Sequence, residues 1–190
     1  MIKTTLLLGP PGCGKTTLVR DLLPKFGTGY SYQCGLVKSQ VYPDYKIMVL
    51  GEYAHNHPFS GTDRLSMGMQ RDVPAWVSQM KRGFSDWNIL GEGGRITTMA
   101  FYNAVRALGV LCVVRLIVCP STLEKRRSGR IWALGGVAQS ASWLQGMDTK
   151  IANVSAYAQS WAEVKMVPYD TEEDRMYAES IILEEVSWTG

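Results

Sequence analysis

What the chain lacks sets the first limits. No stretch approaches the ~20 consecutive apolar residues that a membrane-spanning helix needs, so a transmembrane protein is excluded and no membrane partner is expected. Cysteine is scarce: Cys13, Cys34, Cys112 and Cys119 form no CxxC pair and no zinc spacing. Reduced thiols are expected, those in apolar stretches packing as small hydrophobes. Histidine is scarcer still. His55 and His57 stand together in "AHNHP" with no third ligand evident, which does not amount to a zinc centre or to the longer ββα unit of an HNH nuclease. A large charge excess is missing as well: 20 Lys and Arg against 17 Asp and Glu leave +3, compatible with a polyanionic partner but well short of the basic bias that argues for one by itself. No repeat, low-complexity tract or linker is present, and the opening "MIKTTLLLGPPGCGKTT" has no small-residue cleavage site. The expectation is a cytoplasmic protein folded as one domain over residues 1–190, long enough to bury its own core.

Hydrophobic patterning supplies the elements. "TTLLLG" (Thr4 to Gly9) reads as a buried strand, and Lys15 to Leu23 carries apolar residues at helical spacing until Pro24. Gly35 to Glu52 holds two β-rich runs around Pro43-Asp44, which predicts a hairpin near 35–52. Helices are predicted over Val73 to Met80, about Thr97 to Leu108, Ser142 to Ala162 and Glu172 to Val186. Between them, "WNIL" stops on Gly91-Glu92, "VLCVVRLIVCP" has the continuous hydrophobicity of a central parallel strand, and "EVKMV" forms a last short strand. This alternation predicts an α/β fold with a doubly wound, mainly parallel sheet flanked by helices.

One motif carries specific chemistry. Gly9 to Thr16, "GPPGCGKT", matches G-x-x-x-x-G-K-[ST] between a predicted strand and a predicted helix. Such a P-loop wraps phosphates with backbone N–H groups and the N-terminus of the following helix. Gly9, Pro11, Gly12, Cys13, Gly14, Lys15, Thr16 and Thr17 are therefore the candidate ATP-binding residues, with Lys15 reaching the β and γ phosphates and Thr16 offering its hydroxyl to magnesium. Cys13 stands where a smaller or hydroxylated residue is expected, which raises the prospect of a redox-sensitive loop.

Binding a nucleoside triphosphate does not say what happens to it, because motors, switches and kinases share this loop. Glu92 closes the strand that should lie beside the loop, where an acidic residue reaches the magnesium shell directly or through water. "LEKRRSGR" places Arg126, Arg127 and Arg130 within one or two helical turns, like the lid of a small kinase, near residues 123–136. Arg127 is assigned to ATP, and Arg126 and Arg130 to charge building on the transferred group.

With these pieces in place, the chain resembles the small-kinase branch of P-loop proteins over nearly its whole length, through "LLLGPPGCGKTTL", "WNILGEGGRI", "LEKRRSGR" and "SWLQGMDTKIANV". The combination "LGEY" then "GTDRLSM" is similar to bacteriophage kinases that act on 5-hydroxymethyluracil in DNA. That resemblance implies ATP and Mg2+ as cofactors, DNA containing 5-hydroxymethyluracil as the partner, the base's hydroxymethyl group as acceptor, and the cytoplasm of an infected host cell as location. The turn "FSGTDRLS" then gains a role. A primary hydroxyl is a poor nucleophile at neutral pH and needs a carboxylate to take its proton. Asp63 is the candidate, with Glu92 left open as the other. Arg64 and Arg95 would hold the acceptor or a phosphate, and Tyr53, with Tyr42, Tyr45 and Phe59, could stack on an extruded base, although core packing accounts for any single one of these rings at least as well. A kinase for a free nucleoside or nucleotide needs the same parts, and an ATPase or switch needs all but the acceptor site.

Overall fold

The computed structural model describes residues 1–53, 60–134 and 138–187, with side chains of 130–134 set aside. His55, His57 and Phe59 lie outside the described residues, as does the Arg130 side chain. Among the described residues seven strands, β1 (Ile2–Leu8), β2 (Tyr30–Cys34), β3 (Val37–Tyr42), β4 (Ile47–Leu50), β5 (Asn88–Glu92), β6 (Gly109–Ile117) and β7 (Glu163–Pro168), form one sheet in the order β2-β3-β4-β5-β1-β6-β7. The pairs from β4 through β7 are parallel, whereas β2–β3 and β3–β4 are antiparallel.

Among the described residues six α-helices cover the sheet: α1 (Lys15–Leu22), α2 (Val73–Gly83), α3 (Met99–Arg106), α4 (Pro120–Leu134), α5 (Ala141–Gln159) and α6 (Glu172–Val186). Strand alternation sorts the core into two layers. Leu6, Met48, Ile89 and Val113 pack with Trp76 of α2, Phe101 of α3 and Val154 of α5. Leu7, Val49, Leu90 and Val114 face the opposite side, against Leu18 of α1 and Ile182 of α6. The predicted doubly wound α/β sheet is the architecture found. No helix among the described residues is long and apolar enough to cross a membrane.

Local chemistry explains the boundaries. α1 ends at Leu22, and a 3-10 turn over Leu23–Phe26 takes in Pro24, whose missing N–H cannot continue the ladder. α3 starts where the Thr98 hydroxyl accepts from the Phe101 N–H, and α6 has a reciprocal cap between Thr171 and Asp174. β2 has no counterpart in the sequence reading, since "YSYQC" is a short half-polar edge strand.

A buried charge cluster ties the far side of the sheet together. The Glu185 carboxylate at the end of α6 meets Lys3 of β1 at 2.8 Å and Lys165 of β7 at 2.7 Å. Burial pushes its carboxyl up, but the hydrogen bonds from Lys165 and Lys3 outweigh this and hold it below the usual range. Cys112, Glu163 and Glu185 have donor atoms within 4.8 Å of one another. Two lysines already neutralise the central carboxylate, so the cluster works as an ion-pair brace rather than as a cation site.

Candidate active site

The carboxyl ends of β1, β4 and β5 bring the predicted residues together. Between β1 and α1 the loop turns through Gly12 (φ 82°) and Gly14 (φ 108°), left-handed conformations that favour glycine. Crowding acts as well: a Cβ on Gly12 would lie 2.8 Å from Arg127 Cγ. Lys15 curls over the loop, its ammonium donating to the carbonyls of Gly9 (2.8 Å) and Pro10 (3.1 Å). Cys13 is buried beneath the loop, which shields its thiol from solvent oxidants. Cys112 is buried too, but Cys119 is exposed at the start of α4, contrary to the expected apolar packing.

Glu92, at the last position of β5, is 2 % exposed and accepts a hydrogen bond from the Thr16 hydroxyl at 3.1 Å. The Tyr53 hydroxyl donates to the same oxygen at 3.5 Å, and the Thr62 hydroxyl donates to the Glu92 backbone carbonyl. Burial is the main cause that pushes the Glu92 carboxyl up to about 7, with the nearby Asp63 charge adding to it; Lys15 and the Thr16 hydrogen bond pull the other way. The space around this carboxylate is tight, since a Cβ on Gly61 would stand 2.1 Å from its Oε1.

Asp63 sits on a short 3-10 turn, Thr62–Arg64, exposed, with Oδ1 3.8 Å from where a Cβ on Gly93 would be. A Glu52–Gly61 bridge between backbones fixes this turn against the end of β4. One carboxylate is thus dry and pinned to the P-loop threonine, and the other is open to an incoming molecule. The β5–α3 loop continues from Glu92 through Gly93 and Gly94 to Arg95. Lys150 of α5 donates to the Gly94 carbonyl at 2.9 Å, Gln70 to that of Arg95 at 2.7 Å, and Arg95 Nε is buried without a partner among the described residues.

The arginines of α4 do different things. Arg126 donates to the carbonyls of Cys13 (2.7 Å), Tyr169 (2.9 Å) and Asp170 (3.3 Å) and lies 5.0 Å over the Tyr169 ring. It braces the outside of the loop in this state instead of facing the phosphate cradle. Arg127 donates through Nε to the Pro11 carbonyl at 2.8 Å, and its Nη2 is buried with no partner among the described residues. An orphaned guanidinium nitrogen beside a glycine cradle fits the phosphates of a nucleoside triphosphate. Thr16 and Glu92 form the oxygen set suited to a hydrated Mg2+.

Other expected contacts are arranged differently. Arg64 is 3.5 Å from Glu52, itself 3.3 Å from Lys38. Neither Glu52 nor Lys38 figured in the sequence reading, although "LGEY" places a second acid directly at the end of β4. Of the proposed stacking aromatics, Tyr42 and Tyr53 are buried; Tyr42 packs edge-on against Phe26, and the Tyr53 hydroxyl turns to Glu92. Their rings are held in the core and are not free to stack on a base. Tyr45 is half exposed and also packs on Phe26.

No protein-family model matches the chain, and no curated protein matches it. Solved structures do. A gluconokinase from Sinorhizobium meliloti is similar at a TM-score of 0.51 with 11 % identity, over 96 % of this chain and 94 % of that one. A sugar kinase from Janibacter, also at 0.51, has 14 % identity and covers 97 % and 94 %. The similarity extends over nearly the full length and is one of fold: the chain shares the α/β architecture of these two proteins.

Proposed function

We propose that the protein is a kinase that moves the γ-phosphoryl group of ATP, with Mg2+, to a hydroxyl acceptor. One observation carries this reading: a phosphate cradle, a buried carboxylate on its threonine and a separate exposed carboxylate converge at one end of the sheet. A switch or ATPase needs the first two; the third suits a hydroxyl nucleophile. In the proposed step Asp63 takes the hydroxyl proton as the acceptor oxygen bonds to phosphorus and the bond to the bridging oxygen of ADP breaks. Lys15 and Arg127 would offset charge on the phosphate oxygens, and Thr16 through its hydroxyl and Glu92 through water would hold Mg2+, which would supply further neutralising charge there.

The finer proposal is that the acceptor is the hydroxymethyl group of 5-hydroxymethyluracil in DNA, supported by the likeness of "LGEY" and "GTDRLSM" to kinases of that kind. A second reading, a free nucleoside, nucleotide or other small alcohol, is favoured by the structural neighbours, a gluconokinase and a sugar kinase. The test is transfer of label from γ-labelled ATP to 5-hydroxymethyluracil DNA, matched thymine DNA and free 5-hydroxymethyldeoxyuridine. Label in the modified DNA alone supports the first reading, and label in the nucleoside alone supports the second. ATP hydrolysis with no acceptor labelled in a wider panel of alcohols contradicts both.

A further inference from the structure

The two antiparallel strands β2 and β3 extend the sheet beyond its parallel part, and one face of that extension is polar. Tyr32, Val37 and Val41 turn to the core beneath α2, so the alternating residues Ser31, Gln33, Lys38 and Gln40 lie on the opposite face. These four, with Glu52, Tyr53 and Arg64, line a groove of about 450 Å³. The size is within the ~300–1,000 Å³ of small-molecule sites. An adjoining groove of about 260 Å³ shares Ser31, Gln40 and Tyr53 and continues past Arg20 and Gly29. Tyr53 leads from both grooves to Glu92, and so to Thr16 of the P-loop.

The polar groups in this groove are oriented. The Tyr42 hydroxyl donates to Gln40 Oε1 at 2.8 Å, which leaves the Gln40 amide N–H groups to donate. Gln33 spends its own Nε2 on the Gly35 carbonyl at 2.7 Å, which leaves Oε1 to accept. Gln33 and Gln40 are diagonal neighbours on one face of the β2–β3 pair, within reach of one planar ligand. Beside them Glu52 holds Lys38 at 3.3 Å and Arg64 at 3.5 Å, longer than the ~2.7–2.9 Å of a tight charge-assisted bond. Two cations share one loosely held carboxylate, so an entering anion can compete for them.

We propose that the polar face of β2–β3 is the acceptor-recognition site, taking one pyrimidine nucleotide of a DNA strand. Gln40 donates to a carbonyl oxygen of the base, Gln33 accepts from its ring N–H, and Lys38 and Arg64 take the adjoining phosphate. The alternation of carbonyl and N–H on the edge of uracil matches this donor and acceptor pair, whereas cytosine presents an amino group and an unprotonated nitrogen there. The proposal rests on the kinase reading with a DNA acceptor and assigns it a location.

The test measures binding, separately from catalysis. A fluorescent single-stranded oligonucleotide with one 5-hydroxymethyluracil is titrated by anisotropy against the wild type, Lys38→Ala, Gln40→Glu and, as a charge control, Lys81→Ala on the exposed side of α2. Lys38→Ala should weaken binding roughly tenfold and reduce the slope of log K against log salt by about 0.7, while Lys81→Ala leaves both unchanged. Gln40→Glu should reduce the preference for 5-hydroxymethyluracil over 5-hydroxymethylcytosine. Wild-type binding that neither groove variant alters overturns the site and leaves the kinase reading standing. No oligonucleotide binding by the wild type also overturns it, and label transfer to small alcohols in the same samples then decides the kinase reading on its own.

Discussion

Thr16 and Glu92, 76 residues apart in the chain, meet at 3.1 Å between the first helix turn of the P-loop and the last residue of β5. The contact joins a metal-ready hydroxyl to a carboxylate that burial has pushed up to about 7, against an ordinary value of 4.5. A carboxyl raised in the fold keeps its proton where the unfolded chain has already released it. Its stabilising contribution is therefore complete below about 4.5 and is lost as pH rises to about 7, a loss of roughly 3 kcal/mol. Glu92→Gln should remove that pH dependence in magnesium-free buffer, leave the protein more stable at pH 8 and abolish transfer. Urea denaturation at pH 5 and pH 8 checks this; equal pH dependence in both proteins contradicts it.

Asp63 is exposed and its side chain makes no hydrogen bond or ion pair among the described residues, so its replacement separates chemistry from stability. Asp63→Asn should lower transfer by ~10²-fold or more, with ATP binding and melting temperature unchanged. A variant that transfers at the wild-type rate removes Asp63 as the base.

Arg126 and Arg127 are neighbours with opposite expected phenotypes. Arg126→Ala deletes three charged donors to backbone carbonyls and should cost roughly 2–4 kcal/mol in stability. Among the described residues Arg127 donates only to the Pro11 carbonyl, and Arg127→Ala removes the unpartnered Nη2 proposed to meet phosphate, so ATP affinity should fall roughly tenfold with little change in stability. Thermal melts and nucleotide titration of both variants decide it; interchanged outcomes contradict the assignment.

Glu185→Ala should destabilise by about 3–5 kcal/mol, because it removes the buried carboxylate that Lys3 and Lys165 share. Transfer per folded molecule should persist. A melting temperature raised by added zinc in the wild type would contradict the ion-pair reading of this cluster.

Much of this arrangement was legible in the sequence because it is local. "GPPGCGKT" announces its own geometry, "NILGE" ends an apolar run on the acid, and α6 follows the predicted span Glu172 to Val186. What was not legible depends on distant partners. Arg126 reads as a lid residue by spacing, yet its donors go to Cys13 and Tyr169, 113 and 43 residues away. β2 was missed because an edge strand with one polar face carries little hydrophobic signal. For Tyr53 and Tyr42 the sequence left stacking and core packing both open, because composition cannot distinguish a ring on the surface from one packed into the core, and the structure has both rings buried.

The most direct test of the central claim is the stoichiometry of ADP formed to acceptor phosphorylated, measured with and without acceptor in wild type and Asp63→Asn. A kinase of the proposed mechanism makes ADP only with acceptor present, one for one with phosphorylated product, and the variant loses both together. ADP production at the same rate with or without any acceptor, unaffected by Asp63→Asn, would contradict phosphoryl transfer and make the protein an ATPase.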